Sequence, residues 1–178
     1  MFYLSRFSKN PIISPVRWRA WEALAAFNPS AVRIAEQGEQ RDTTHLFYRA
    51  TARPDVLLTP YAGLSTIGHA TLHESAVGDR TQVIMPEHPW EAFGCEDPRA
   101  TFFEGKWYVF YTALGGFPFG PSNIKVAAAV GTSPTTLSEK HLVTPFNAKA
   151  ATLFPERVNG DAVLLLTCPP AYPADSPR

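Results

Sequence analysis

The sequence has little net charge and little cysteine. Its 178 residues include sixteen basic and sixteen acidic side chains, so the formal net charge at neutral pH is zero. This balance creates no overall field that would attract nucleic acid or an anionic membrane, and we expect neither as a partner. The two cysteines, Cys95 and Cys168, are far apart and lack metal-ligand spacing. They predict neither a disulfide framework nor a zinc site, and a cytoplasmic protein is the simplest interpretation.

Long hydrophobic runs and histidine clusters are also absent. No stretch approaches the roughly 20 apolar residues that span a bilayer, and charges interrupt the N-terminal segment from Met1 to Lys9. The five histidines show no zinc-like spacing, so the sequence predicts no metal site. These absences favour a globular protein with neither a membrane segment nor a signal peptide.

Proline and glycine, by contrast, are frequent. Seventeen prolines and eleven glycines fall between apolar runs, as is typical of short strands joined by turns. The aromatic runs His45 to Ala50 and Trp107 to Ala113 alternate like half-buried strands. Residues 16–26 fit either a short helical turn or a loop that packs Trp18 and Trp21. The sequence therefore predicts an all-β protein.

Strand–turn–strand units recur along the chain. Pro29, Pro98 and Pro155 each stand at the predicted start of such a unit, at intervals of 69 and 57 residues. Repetition at this length, with up to four strands per unit, is the signature of a β-propeller. The predicted divisions are a lead-in over 1–26, a first blade over 27–93, a second over 94–148 and the start of a third over 149–178. Two to three blades make an incomplete ring with open sheet faces, so a homo-oligomer stays open as an interpretation.

The stretch from Gly94 to Phe103 contains the sequence Glu-Asp-Pro-Arg at positions 96–99. Proline disfavours the helical conformation for the residue before it, which predicts an extended Asp97 at the mouth of a strand. There its carboxylate could face a ligand, or form a structural salt bridge with Arg99. Glu96 fits a structural partner better than a catalyst.

Seven short segments, spread in order along nearly the whole chain, form a specific combination. They are Asn10-Pro11-Ile12 with Pro15, Phe27 to Val32, Leu46 to Arg49, Leu64 to Ala70, Gly94 to Arg99, Tyr108 to Ala113, and Lys149 to Glu156. In this combination the chain resembles glycoside hydrolase family 130, the β-mannoside phosphorylases and related β-mannosidases. The resemblance covers roughly the first half of such an enzyme and implies a five-bladed β-propeller.

The resemblance also implies an activity. It indicates a phosphorylase that cleaves β-mannosides with inorganic phosphate and inversion, releasing mannose 1-phosphate, with phosphate as co-substrate and no cofactor. Asp97, in the family's Glu-Asp-Pro-Arg motif, inherits the role of general acid. A hydrolase on the same scaffold would need a second carboxylate, either Glu156 or one beyond Arg178. A non-catalytic or truncated carbohydrate-binding fragment is the third interpretation.

Further site residues follow from matching the family's positions. The resemblance implies substrate-binding roles for Asn28, Arg49, Ser65 and Arg99, and phosphate-binding roles for Lys149 and Lys125. Arg49 could equally cap a strand against a carboxylate, and Lys149 could equally be a surface lysine. Trp90 could stack on a sugar ring or belong to the core. One departure is Ala150, where the family commonly has aspartate.

Overall fold

The computed structural model describes residue 3 and residues 5–35, 42–53, 64–73 and 76–169. These residues form three antiparallel β-sheets, so the all-β prediction is confirmed. Two short 3-10 turns, Ala20–Glu22 and Pro89–Glu91, precede the first and second sheets. Within the described ranges, none of the helices is long and apolar enough to cross a membrane.

Each sheet is built from strands that follow one another along the chain. The first sheet contains β1 Ala25–Ile34, β2 Thr43–Thr51, β3 Ser65–His73 and β4 Ala76–Ile84. The second contains β5 Cys95–Phe103, β6 Lys106–Leu114, β7 Ile124–Gly131 and β8 Glu139–Leu142, and the third contains β9 Lys149–Leu153 and β10 Leu164–Thr167. The described residues do not close into a ring, and part of the predicted third unit, residues 170–178, lies outside them.

The three sheets stack with their first strands side by side. β1 contacts β5 and β5 contacts β9, while β5 also covers the face formed by β2 and β3. Side chains join these strands: the Ala100 amide donates to Ser30 Oγ at 2.9 Å, and Thr101 Oγ1 donates to the Leu153 carbonyl at 2.9 Å. These hydrogen bonds hold the three first strands side by side.

Strand β6 explains why the sheets stack. Its residues alternate between two hydrophobic clusters, so that Val109 and Tyr111 pack with Phe47 and other residues of the first sheet. Phe110, on the opposite face, packs with Leu153 of the third sheet. Because both faces of β6 are apolar, the second sheet is stabilised only when a neighbouring sheet covers each face.

Two histidines are buried between the first and second sheets. His45 Nδ1 and His69 Nε2 lie 3.0 Å apart, and the edge of the His45 ring meets Trp107. Burial and, second, the neighbouring His45 lower the pKa of His69 from 6.5 to about 4. Between these pH values the unfolded chain binds more protons than the folded protein does.

We therefore expect acid to destabilise the protein through His69. Between pH 6.5 and pH 4 this residue's contribution to the free energy of unfolding should fall, by up to about 3 kcal/mol. Chemical denaturation of wild type and His69→Gln across this range should give a flatter pH dependence for the variant. His141→Gln removes an exposed histidine and is the control. Equal pH slopes for wild type and His69→Gln would contradict the prediction.

The third unit begins at a different residue from the one that the sequence predicts. The sequence places Pro155 at the start of the third unit, and this is wrong, because β9 ends at Leu153, before this proline. The sequence also predicts a hairpin turn at Asn159-Gly160, because an Asn-Gly pair is a strong hairpin signal, and this turn is present. Val158 and Asp161 exchange backbone hydrogen bonds of 2.9 and 3.0 Å around it, and both turn residues have positive φ.

The repeated feature is a backbone kink near the start of each first strand, and proline accompanies it only in the first two. Asn28, Asp97 and Ala150 have φ values of 48°, 50° and 53°. The strand pairing shifts register at all three positions, as in a β-bulge. Asparagine and aspartate tolerate this left-handed conformation better than alanine does. Ala150 therefore occupies the position of Asn28 and Asp97 in the third sheet, under greater strain.

Replacing Ala150 with glycine should relieve that strain. We expect the free energy of unfolding to rise by about 1 kcal/mol, because glycine adopts positive φ without a Cβ clash. Ala151→Gly, at the next residue of the same strand, is the matched control and should destabilise, since Ala151 is buried. Chemical denaturation measures both, and a loss of stability in Ala150→Gly would contradict the prediction.

Candidate active site

The kinks at Asn28 and Asp97 bring two side chains of different sheets together. Asn28 Nδ2 donates to Asp97 Oδ1 at 2.7 Å, although 69 residues separate them. The prediction that Pro98 holds Asp97 in an extended conformation is wrong, because Asp97 lies at positive φ within β5. The bulge turns its side chain toward β1 instead of leaving it at the mouth of a strand.

Arg49, on β2, is the centre of the site. It forms ion pairs with Glu96 and, at 3.5 Å, with Asp97 Oδ1. Its Nε donates to Ser65 Oγ at 3.0 Å, and its guanidinium lies 4.8 Å from the centre of the Phe27 ring. Because several partners contact the Arg49 guanidinium, this planar group has little freedom to move.

The two adjacent carboxylates differ in exposure. Burial raises the pKa of Glu96 above its usual value, while Arg49 opposes that shift. Glu96, with 20% of its side chain exposed, is paired with Arg49. Asp97 is more accessible, with 36% of its side chain exposed. Its contacts with Asn28 and Arg49 both use Oδ1. Among the residues that the structure describes, no hydrogen bond or ion pair is found for its other carboxylate oxygen.

Of the residues predicted for the sugar site, Asn28, Arg49 and Ser65 come together with Asp97. We call these four residues with Glu96 the Arg49 cluster. Arg99 is the exception, since its Nη1 donates to the Pro98 carbonyl at 2.8 Å. Across the described ranges no ion pair joins Arg99 to Asp97. The structure therefore does not contain the salt bridge that the sequence offered as the alternative role of Asp97.

The two lysines predicted to bind phosphate flank this end of the sheets. Lys149 is exposed and immediately precedes the kink at Ala150, as Glu96 precedes the kink at Asp97. Lys125 is half-buried in β7 and lies in one cross-strand row with Ala113 and Cys95. Neither lysine forms an ion pair within the described part of the chain. In that part, no group of three or more His, Cys, Asp or Glu residues could hold a metal ion.

Two buried glutamates were missed by the sequence analysis. Glu22 and Glu91 are both fully buried, and each follows a tryptophan and precedes an alanine. This Trp-Glu-Ala repeat was the available signal, because each glutamate lies six residues before a kinked residue, Asn28 or Asp97. Trp90, in the second copy, packs against the core and stacks on His88 at 4.6 Å, which favours its structural interpretation.

The chain is similar in sequence to a known family of enzymes and to two curated relatives. The sequence profile of glycoside hydrolase family 130, described as beta-1,4-mannooligosaccharide phosphorylase, matches residues 5–169. Two curated relatives come from Thermoanaerobacter sp. (strain X514). A beta-1,2-mannobiose phosphorylase is 32% identical over 92% of this chain and 54% of its own length. A 1,2-beta-oligomannan phosphorylase is 31% identical over 93% of this chain and 53% of its own length.

A solved structure gives the same result for the fold. The beta-1,2-mannobiose phosphorylase from Listeria innocua, in complex with beta-1,2-mannobiose, superposes with a TM-score of 0.67 at 18% identity. The match covers 96% of this chain and 59% of that one. The chain thus spans about half the length of the curated relatives it matches.

Proposed function

Since the chain belongs to glycoside hydrolase family 130, we propose that the protein is a phosphorylase of β-mannosides. Inorganic phosphate attacks the mannosyl carbon with inversion, and mannose 1-phosphate is released. The observation that carries this proposal is the Arg49 cluster, in which Asn28 and Arg49 hold one oxygen of Asp97. Phosphate is then the co-substrate, and the chemistry requires no cofactor.

Asp97 is proposed as the general acid. Inverting cleavage needs one acid on the side of the leaving group and a nucleophile on the opposite face of the sugar. A carboxylate held through one oxygen, with 36% of its side chain exposed, can present its other oxygen to a substrate. Asn28, Arg49 and Ser65 are proposed to line the sugar pocket. Arg99 is proposed to support the bulge at Asp97, because its Nη1 donates to the Pro98 carbonyl.

Lys149 and Lys125 are proposed to bind phosphate. Both lie toward the end of the sheets that carries Asp97, and they add positive charge where a dianionic nucleophile must approach. Lysine contributes as a point charge and lacks the bidentate fork of arginine. This arrangement favours an anionic nucleophile over water that a carboxylate has activated.

The position of Glu156 argues against the hydrolase alternative. Glu156 lies beyond the Leu153 end of β9, and that end is hydrogen-bonded to Thr101, four residues past Asp97 along β5. A strand rises about 3.3 Å per residue, so Glu156 lies well away from the Arg49 cluster. Glu96 is engaged by Arg49. Within the described residues, neither carboxylate is placed to activate water opposite Asp97.

We further propose that the three sheets are successive blades of a five-bladed propeller. The order of strands within each sheet and the adjoining first strands support this reading. The divisions proposed from the sequence, 94–148 and 149–178, each contain one sheet, and 27–93 contains the first sheet except Ala25 and Ala26 of β1. A site at one end of the first strands would then lie at the propeller axis.

We place the protein in the cytoplasm, since both cysteines are free thiols.

The test of function is the phosphate dependence of the intact protein. Incubation with β-1,2- and β-1,4-linked mannobiose, with and without inorganic phosphate, should give mannose 1-phosphate only when phosphate is present. The two linkages are chosen because the relatives and the family description differ in linkage. Equal release of free mannose without phosphate would support the hydrolase alternative. No turnover under either condition would support a non-catalytic protein.

A further inference from the structure

The first two sheets each contain a buried carboxylate cluster of the same design. Glu22 and Glu91 end the two 3-10 turns, and both are fully buried. In each sheet the glutamate contacts a tyrosine on the second strand and a cation on the fourth. We call these the Glu22 cluster, with Tyr48 and Arg80, and the Glu91 cluster, with Tyr111 and Lys140.

The Glu91 cluster satisfies both carboxylate oxygens. Tyr111 Oη donates to Oε2 at 2.5 Å, and Lys140 Nζ donates to Oε1 at 3.0 Å. The backbone amides of Glu87 and His88 add donors to Oε1 at 2.9 and 3.3 Å. Burial, more than any other cause, raises the pKa of Tyr111, so its hydroxyl remains a donor.

The Glu22 cluster repeats this pattern with longer contacts. Tyr48 Oη donates to Glu22 Oε2 at 2.8 Å, while Arg80 and Arg19 approach Oε1 at 3.5 and 3.4 Å. The same arrangement thus occurs in both sheets. Burying a carboxylate costs free energy unless donors satisfy it, and these donors impose a defined geometry on the turn that carries the glutamate.

Each cluster fixes one end of a short segment that leads to the Arg49 cluster. Glu91 precedes Asp97 by six residues, and the segment between them pairs with β6, where Phe93 N–H donates to the Leu114 carbonyl at 2.8 Å. Glu22 precedes Asn28 by the same number of residues. The two segments end on the two side chains that hydrogen-bond to each other at 2.7 Å.

We propose that Glu91 and Tyr111 are positioning residues that act on the reaction through Asp97, as Glu22 and Tyr48 act through Asn28. The Glu91–Tyr111 hydrogen bond sets the start of residues 92–97, and the kink at Asp97 sets their end. A cluster with only a structural role would slow hydrogen exchange across the whole sheet. A positioning cluster slows exchange of the amides of residues 92–97 in particular. The catalytic part of this inference rests on the proposed phosphorylase function, but the structural part does not.

The test compares Tyr111→Phe with Tyr108→Phe in the intact protein. Both variants remove a hydroxyl from β6, but only Tyr111 contacts the buried carboxylate. We expect hydrogen exchange of amides 92–97 to become about tenfold faster or more in Tyr111→Phe and to stay unchanged in Tyr108→Phe. Tyr48→Phe should have its effect at residues 23–28 instead. If Tyr111→Phe fails to fold, Glu91→Gln, which keeps the shape of the side chain, takes its place.

Activity with mannobiose and phosphate is the second readout. In Tyr111→Phe, kcat should fall by about tenfold to a hundredfold while KM changes less than about threefold, because the acid is misplaced and not removed. Unchanged exchange at 92–97, or equally faster exchange across the whole second sheet, would overturn the inference. Faster exchange at 92–97 with unchanged kcat would overturn its catalytic part. A wild type without turnover defeats the proposed function only, and exchange still decides the positioning role.

Discussion

Asp97→Asn should lower kcat for the phosphorolysis of mannobiose by about 10²- to 10⁴-fold, the usual contribution of a general acid. Asparagine has the same shape, and its Oδ1 can still accept the hydrogen bond that Asn28 donates to Asp97 at 2.7 Å. The variant therefore keeps the geometry of the kink and loses only the acidic proton. Steady-state rates of mannose 1-phosphate formation by wild type and variant measure the loss.

The leaving group distinguishes an acid from a structural residue. A nitrophenyl β-mannoside releases a phenolate that hardly needs protonation, so Asp97→Asn should lose much less activity on it than on mannobiose. Asp161→Asn makes the same chemical change on an exposed hairpin turn and should leave both rates unchanged. If Asp97→Asn keeps more than a tenth of its activity on mannobiose, Asp97 is not the acid.

The strands were predictable because their signal is local. The aromatic runs at 45–50 and 107–113 fall within β2 and β6, and the Asn159-Gly160 hairpin turn forms as predicted. Alternation of side chains and the conformational preference of an Asn-Gly pair need no knowledge of the rest of the chain. The stacking of sheets followed less directly, from the repetition of strand–turn–strand units.

The kinks were not predictable from local preferences. The residue before a proline favours an extended backbone, yet Asn28 and Asp97 both adopt positive φ. Tertiary contacts select this conformation: Asn28 and Asp97 bond to each other, and Arg49 of a third strand reaches Asp97. Since these contacts join residues far apart in sequence, only the stacking of the first two sheets reveals them.

The repeated Trp-Glu-Ala tripeptide would have supported the alignment of the first two units, because its two copies are 69 residues apart, as are Pro29 and Pro98. Glu22 and Glu91 lie the same distance before Asn28 and Asp97, whereas Pro155 lies after its strand. A charged residue that repeats inside an apolar setting is informative, because burying it requires specific partners. Those partners, on the second and fourth strands, are visible only in the folded sheet.

Lys140→Met should cost about 3–5 kcal/mol of unfolding free energy, the largest effect on stability that we expect. The Lys140 side chain is 5% exposed and lies 3.0 Å from Glu91, which is fully buried. It also donates to the Met85 carbonyl at 2.5 Å and pairs with Glu87 at 3.2 Å. Methionine fills a similar volume but leaves Glu91 as a buried charge without its counter-ion. Chemical denaturation of the intact protein measures the loss.

An exposed ion pair provides the contrast. Arg157 and Glu104 approach more closely, at 2.6 Å, but their side chains are 48% and 54% exposed. Arg157→Met should therefore hardly change the stability, because water screens the pair and solvates the remaining glutamate. Adding Glu91→Gln to Lys140→Met should recover part of the loss, since it removes the uncompensated charge. If the double variant is no more stable than Lys140→Met alone, the cost arises from packing around Lys140 and not from the buried charge of Glu91.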